Sequence, residues 1–215
     1  MSEVVRRVHV VTSCTALKVD TRVPVPAETL YRGQQHVRLM RGVQRARALG
    51  VQIDLSIVSA KHGVIAGDAP VESYEQTFQG MGVEARRSVA RTLGIPQAIR
   101  TSLDHPCDLH VVLLGDDYLA ACELGADVAP SAPTHLFCAA GSALGLPRMS
   151  NVAIWPIHVE DTRRFQCGYV ALKGEVGGRL LATLATGRLS LAELTSDPLA
   201  KLASAERDQL ALSVG

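Results

Sequence analysis

A thiol, hydroxyl groups and an ammonium group directly follow the first apolar run of the chain. Ser13, Cys14 and Lys18 come after residues 8–12, whose composition predicts a β-strand. In open α/β sheets ligands bind beyond the carboxyl ends of the strands, so these side chains are placed for chemistry. Lys18 can hold a phosphate or carboxylate as a point charge, act as a base or nucleophile once desolvated, or simply be a solvated loop residue. Cys14 is a nucleophile if the lysine lowers the pKa of its thiol, and a small buried side chain otherwise.

A second group of polar residues, which includes an imidazole, follows the next apolar run at residues 53–58. Ser59 supplies a hydroxyl, and Gly63 permits a turn. The ordinary pKa of His62 suits general acid–base catalysis, although a solvated turn histidine would give the same pattern. Tyr74 lies in a polar, acidic loop, which either reaches over the site as a lid or has no role in it.

Tyr31, Arg32 and Gly33 stand at the beginning of the first long amphipathic segment, residues 32–49. Apolar residues recur there at helical spacing, which predicts a helix. Helix N-termini attract anions, and Tyr31 offers a ring for stacking and a hydroxyl for orientation. The alternative is a hydrophobic staple that fixes how the chain enters the helix. His36, inside the helix, is interpreted as a half-buried structural histidine.

Small and acidic residues follow the third and fourth apolar runs. Gly115 allows the backbone to approach a ligand closely, Asp116 is interpreted as a helix N-cap, and Tyr118 follows in the next helix. The loop at residues 138–145 is rich in small residues but lacks the spacing of a phosphate-binding or dinucleotide-binding loop. The residues that could converge on a metal ion, although no ligand spacing requires one, are His62, Asp68, Asp116 and Asp117. The sequence identifies no cofactor.

Polar or small residues thus follow four successive strand-like runs, which indicates a site along one edge of a sheet. With a fifth run at residues 151–155, the predicted strands lie at residues 8–12, 53–58, 109–114, 135–139 and 151–155. Helical patterns lie at residues 32–49, 84–93, 97–103, 118–124 and 170–184, and three glycines weaken the last. This alternation predicts an α/β fold, a three-layer sandwich with a mainly parallel central sheet of four to five strands and helices on both faces.

The end of the chain predicts a helical tail. We expect one α/β domain at residues 1–187 and a C-terminal helical tail at residues 188–215. Pro198 is expected at a helix start, since proline is favoured in the first turn. The leucines of the tail predict packing on the core or on a partner subunit, so a homodimer is a further expectation.

The composition narrows the class of protein. The chain of 215 residues is 47% hydrophobic with a net charge of +1, which indicates a globular protein without a global basic field for nucleic acid. The four arginines of residues 38–47 are a candidate for a local basic patch. Five widely spaced cysteines without a CxxC pair favour reduced thiols over a disulfide framework or zinc site. No apolar run approaches the ~20 residues of a membrane span, and the first residues lack the core of a signal peptide, so we expect a cytoplasmic protein.

Taken together, the motifs resemble those of an uncharacterised bacterial and phage domain family. They are Ser13-Cys14-x3-Lys18, Leu30-Tyr31-x-Gly33, Leu55-Ser-Ile-Val-Ser-Ala-Lys-His-Gly-Val64 and Tyr74-Glu-x-Thr-Phe78. More distantly, the chain resembles a domain of archaeosine synthase, a tRNA-modifying enzyme acting on a 7-deazaguanine base, whose Cys-x3-Lys signature is matched by Cys14 and Lys18. That domain is similar in fold to uracil-DNA-glycosylase-like α/β domains, so the resemblance implies a base-binding pocket.

The leading hypothesis is an enzyme that acts on a nucleobase, nucleoside, nucleotide or nucleic-acid base, by N-glycosidic cleavage or base modification. The catalytic candidates are Lys18, His62 and Cys14. The substrate-binding candidates are Ser13, Tyr31, Arg32, Gly33, Ser59, Gly63, Tyr74, Gly115 and Tyr118. Lys18 would hold a phosphate or stabilise charge, His62 would be the general acid–base, and Tyr31 or Tyr74 would stack the base. The alternatives are a non-catalytic module that binds a nucleotide or modified base in stress or phage defence, and thiol chemistry at Cys14 with His62 as its base.

Overall fold

The five predicted strands are confirmed in a computed structural model that describes residues 5–212, with side chains to residue 205. The strands are β1 Arg7–Ser13, β2 Val25–Pro26, β3 Gln52–Ser59, β4 Gly63–Ala66, β5 Pro70–Val71, β6 Leu109–Leu113, β7 Thr134–Ala139 and β8 Val152–Ile157. The central sheet has the order β4-β3-β1-β6-β7-β8. All its neighbouring strands run parallel except β4, which pairs antiparallel with β3, while β2 and β5 form a small separate ribbon.

The sheet therefore has six strands rather than four or five, because β4 was not predicted. Gly63 has a φ of 75°, a left-handed conformation that favours glycine, and it turns the chain straight back onto β3. The strand order reverses at β1, since the chain next adds β3 on one side and later β6 on the other. In sheets of this kind ligands bind beyond the carboxyl ends of the strands at such a reversal.

Helices cover both faces of the sheet, which confirms the three-layer sandwich. They are α1 Ala27–Leu30, α2 Gln34–Ala48, α3 Val83–Thr92, α4 Ile95–Leu103, α5 Asp116–Cys122, α6 Ala140–Leu144, α7 Asp161–Phe165, α8 Tyr169–Ala185 and α9 Pro198–Leu212. Helices α2 and α8 bury their apolar side chains in the core on one face, and α3, α4 and α5 do so on the other. Within residues 5–212, no helix is both long and apolar enough to cross a membrane.

The glycines of α8, which the sequence predicts to weaken the helix, allow it to pack closely on α2. A Cβ atom on Gly174 would overlap the backbone carbonyl of Gln35, and one on Gly178 would lie 2.8 Å from the carbonyl oxygen of Arg38. Gly42 of α2 in turn faces the backbone of Gly178. The close packing of the two helices at this crossing offsets the low helix propensity of glycine.

The C-terminal tail packs on the core face formed by α2 and α8. Helix α9 begins at Pro198, as the sequence predicts, and Leu194, Leu199 and Leu202 are buried in that core. The last part of the predicted tail, residues 213–215, lies outside the described residues. The division into domain and tail and the homodimer stay predictions.

Candidate functional site

The loops that follow β1 and β3 lie side by side at the carboxyl edge of the sheet. The two strands pair in parallel through their last residues, Ser13 opposite Val58, and the backbone N–H of Cys14 donates to the Val58 carbonyl at 2.9 Å. The side chains of Ser13 and Ser59 are buried at this edge. Two segments more than forty positions apart in the sequence are therefore held together by the parallel pairing itself.

Tyr74 forms the centre of this edge, and two ammonium groups lie against its ring. Lys18 Nζ is 4.4 Å from the ring centroid and Lys61 Nζ is 5.4 Å from it. The tyrosine is buried, so its ring serves as a platform for the two cations. Tyr74 thus joins the loop after β1 to the loop after β3, although it belongs to neither.

The hydroxyl of Tyr74 is fixed by a directional chain of hydrogen bonds. Ser59 Oγ accepts the backbone N–H groups of Lys61 and His62 at 3.1 and 3.0 Å, so its own proton points to Tyr74 Oη, 2.7 Å away. Tyr74 then donates to Tyr31 Oη at 2.9 Å. Burial raises the pKa of Tyr74 far above its ordinary value and that of Tyr31 to about 12, so both phenols are neutral.

Two ammonium groups at this edge have no carboxylate partner among the described residues. Among the described residues Lys18 and Lys61 form no ion pair, and Lys18 Nζ donates only to the carbonyl of Ala16, at 3.3 Å. The ring of His62 lies edge-on to Tyr74, with centroids 5.0 Å apart. Burial, and then the charge of Lys61, lowers the pKa of His62, which keeps the exposed imidazole neutral at pH 7.

Cys14 is buried beside a tyrosine rather than a histidine. Its side chain is 4% exposed, and Sγ lies 2.9 Å from Tyr118 Oη. Tyr118 packs edge-on against Phe78, and burial raises the pKa of its phenol. The partner of the thiol is a neutral phenol, and among the described residues no base hydrogen-bonds to Cys14, so the placement favours a packed side chain.

The segment at residues 31–33 supports the loop that follows β1 through backbone hydrogen bonds. Tyr31 is 1% exposed, so its ring offers no open face to a base. The backbone N–H of Arg32 donates to the Leu17 carbonyl at 2.8 Å, while the arginine side chain is exposed. The N–H of Gly33 donates to Thr15 Oγ1 at 3.1 Å, and a Cβ atom there would lie 2.6 Å from the threonine side chain. Gly33 is therefore required for α2 to begin against the loop after β1.

A second polar group lies beyond β6 and β7 at the same edge. Gly115, not Asp116, is the N-cap of α5, because Asp116 already has helical geometry and its Oδ1 accepts the hydroxyl of Ser142 at 2.7 Å. Lys173 of α8 interacts electrostatically with Asp116 and Cys138, and burial lowers the pKa of its ammonium group against their opposing influence. Three of the four lysines of the chain thus lie at the carboxyl edge, Lys201 being the exception.

Two of these three lysines, Lys61 and Lys173, are not among the site residues chosen from the sequence, although the ammonium group of Lys61 follows a strand-like run just as that of Lys18 does. Lys61 stands between Ser59 and His62, both of which are candidates, so the same strand-end rule could have included it. Lys173 lies in a long helix more than thirty positions beyond the strand it faces, and no local pattern indicates its position.

The residues proposed to converge on a metal ion are not brought together. His62 packs on Tyr74, Asp116 accepts from Ser142, and Asp117 pairs with Arg86 at 2.5 Å. Within the part of the chain that the structure describes, no group of three or more histidine, cysteine, aspartate or glutamate side chains is placed to hold a metal.

A cavity of about 590 Å³ lies away from this edge, between α4 and the strands β3 and β4. His9 Nδ1 lies 2.9 Å from His110 Nδ1, and His9 Nε2 lies 2.9 Å from Ser56 Oγ, which lines the cavity. Burial, with the neighbouring His110, lowers the pKa of His9 to about 4. Such an imidazole accepts a proton poorly at neutral pH, so this cluster lacks the base that would activate Ser56. We therefore place the candidate site at the carboxyl edge.

Comparison with known proteins gives a family without an assigned activity. A family model described as a family of unknown function (DUF6884) matches residues 9–133. The match spans more than half of the chain, which therefore belongs to this family, in agreement with the expected resemblance to an uncharacterised domain. No curated protein and no solved structure matches. The more distant resemblance to archaeosine synthase stays a prediction.

Proposed function

We propose that this member of the family is an enzyme that binds a nucleotide unit at the carboxyl edge of its sheet and acts on the base. The nucleotide is either free or part of a nucleic acid, and the reaction is N-glycosidic cleavage or modification of the base. The observation that supports this most strongly is that two ammonium groups, from the ends of two neighbouring strands, lie over the ring of Tyr74. The resemblance of the motifs to base-directed enzymes supports the choice of ligand.

A phosphate is the group that this pair fits best. Lys18 and Lys61 lie over one neutral ring with no carboxylate paired to either among the described residues, so two positive charges are left for an anion. Lysine binds phosphate as a point charge, and in such sheets ligands bind beyond the carboxyl ends of the strands, here at β1, next to which the strand order reverses. Cation–π contact with Tyr74 holds both ammonium groups in place before the ligand arrives, which reduces the entropy cost of binding.

His62 is the group best placed to move a proton. In N-glycosidic hydrolysis the neutral imidazole accepts a proton from the water that attacks C1′, the C1′–N bond breaks, and its electron pair leaves with the base. Lys18 and Lys61, besides holding the phosphate, favour the negative charge that develops on the base as it leaves. Tyr31 and Tyr74 are assigned to positioning rather than stacking, because both rings are buried.

A non-catalytic binding module is the second candidate, and one observation favours it. Among the described residues no side chain hydrogen-bonds to the ring of His62, whereas a catalytic histidine is normally oriented by a partner. In this case the same two lysines hold the nucleotide, and a partner protein responds, for example in stress or phage defence.

The experiment is incubation of the purified protein with pooled nucleosides, nucleotides and short DNA and RNA, followed by mass spectrometry for released or altered bases. We expect a new product. The rate of its formation should fall at least about 100-fold in His62→Gln, which is the lower end of the usual contribution of acid–base catalysis. It should also fall strongly in Lys18→Ala. Lys201→Ala is the control, since this lysine lies on α9, away from the edge. Turnover unchanged in His62→Gln and Lys18→Ala would refute the assignment, and saturable binding without product would favour the binding module.

The subcellular location of the protein is also a prediction. The proposal of a cytoplasmic location is supported by the five widely spaced cysteines, all of which are free in residues 5–205.

A further inference from the structure

A groove lined by arginines runs between α2 and α8 on the outer surface. Its volume is about 450 Å³, and its lining includes Arg38, Arg41 and Arg45 of α2 together with Glu175 and Arg179 of α8. Four guanidinium groups and one carboxylate thus face the same space, in a chain whose net charge is only +1. The groove is therefore a local region with more basic than acidic side chains.

The single carboxylate neutralises only part of this charge. Glu175 accepts Arg38 at 2.6 Å and Arg179 at 2.7 Å. Burial raises the pKa of Glu175, but the hydrogen bonds from the two arginines outweigh it and keep the carboxylate ionised. Arg41 and Arg45 are exposed and form no ion pair among the described residues. Two ion pairs with Glu175 connect Arg38 of α2 and Arg179 of α8 across the groove. Arg41 and Arg45 are available to a ligand.

The groove leads away from the carboxyl edge. Helix α2 begins there, because the N–H of Gly33 donates to Thr15 after β1, and the side-chain amide of Gln35 donates to the Leu113 carbonyl at the end of β6, 3.0 Å away. With a rise of about 1.5 Å per residue, Arg41 and Arg45 stand roughly 10 and 17 Å along the helix from its start. Successive phosphates of an extended strand can meet them while one nucleotide occupies the edge.

We propose that the groove between α2 and α8 binds the sugar–phosphate backbone of a single-stranded nucleic acid whose target nucleotide occupies the carboxyl edge. Arginine forks match phosphate oxygens, and an enzyme acting on a base needs that base outside a duplex. The inference rests on the proposed function, because it selects nucleic acid over a free nucleotide as the substrate.

The test is fluorescence anisotropy with a labelled 20-nucleotide single-stranded DNA of mixed sequence at 50 to 200 mM KCl. We expect Arg41→Gln/Arg45→Gln to weaken binding about tenfold and to lower the slope of log K against log salt by about 1.4, for two lost phosphate contacts. The control is Arg6→Gln/Arg148→Gln, two exposed arginines that precede β1 and β8 and form no ion pair among the described residues. We expect the control to bind like wild type.

Equal weakening in both double variants, an unchanged slope, or no binding by the wild type would each overturn the inference. Product formation from a saturating single-stranded oligonucleotide is measured in the same variants, because the chemical step depends on the carboxyl edge alone. If the groove variants bind normally while Lys18→Ala abolishes product, only the groove inference fails. If the groove variants lose DNA binding while no nucleotide is ever converted, only the proposed function fails.

Discussion

Gly174→Ala is expected to destabilise the protein by about 3 kcal/mol, lowering Tm by roughly 6–12 °C in thermal unfolding followed by circular dichroism. In an ordinary helix the same change stabilises by about 1 kcal/mol, because alanine has the higher helix propensity. The sign reverses here because the new methyl group would overlap the Gln35 carbonyl of α2. Backbone cannot move aside as a flexible side chain does, so α2 and α8 must separate and lose packing along their crossing.

Gly141→Ala is the matched control for this prediction. Gly141 lies in α6, and a Cβ atom there would meet nothing within 4 Å. We expect it to leave Tm unchanged or to raise it slightly. A Gly174→Ala protein as stable as wild type would show that the two helices do not cross as closely as described.

The second large effect is a loss of stability in mild acid. Burial lowers the pKa of His9, His110 and His135 to about 4 each, aided for His9 by His110 and for His110 by His105. The unfolded chain has histidines of pKa near 6.5, so between these values it binds more protons than the native state, and stability falls as the pH falls. The penalty for protonating these buried histidines is absent above about pH 6.5 and grows towards pH 4, at roughly 1.4 kcal/mol for each pKa unit between the folded and unfolded values.

Urea denaturation at pH values from 7.5 to 4.5 measures this loss. His135→Gln, which keeps an acceptor for the Trp155 Nε1–H bond, should give a shallower dependence between pH 6.5 and 5 whatever its absolute stability. The exposed His158→Gln should leave the dependence unchanged. An unfolding free energy that is flat between pH 6.5 and 5 would contradict the burial of these neutral imidazoles.

The alternation of parallel strands and helices could be predicted because both kinds of element have a local sequence pattern. Buried parallel strands are continuous Val-, Ile- and Leu-rich runs, and the helices between them repeat their apolar residues at helical spacing. Strand β4 was missed because it has only four residues and follows its partner after a three-residue turn, too short for any periodicity. The glycines of α8 were interpreted as a weakness because the sequence does not show that α2 lies against them.

The sequence indicates which residues follow strands and so share one edge of the sheet, but it does not indicate which of their side chains are buried. Lys18 and His62 were named because they follow strands, and the structure places both against Tyr74. The sequence does not show that Tyr31 and Tyr74, 43 positions apart, share a hydrogen bond and are buried, which is why one or the other is expected from sequence to stack the base. The pairing of Cys14 with Tyr118 likewise depends on how α5 packs after β6, which has no local pattern.

The central claim is that Lys18 and Lys61 form a phosphate site at the carboxyl edge, and isothermal titration calorimetry tests it most directly. The four common nucleoside 5′-monophosphates and their nucleosides are titrated into wild type, Lys18→Ala/Lys61→Ala and Lys201→Ala. We predict that at least one monophosphate binds wild type and Lys201→Ala at least about tenfold more tightly than its nucleoside, as two charge-assisted contacts would give. In the Lys18→Ala/Lys61→Ala protein this difference should disappear. A wild type that does not distinguish the monophosphates from the nucleosides, or a double variant that keeps the full difference, would contradict the account.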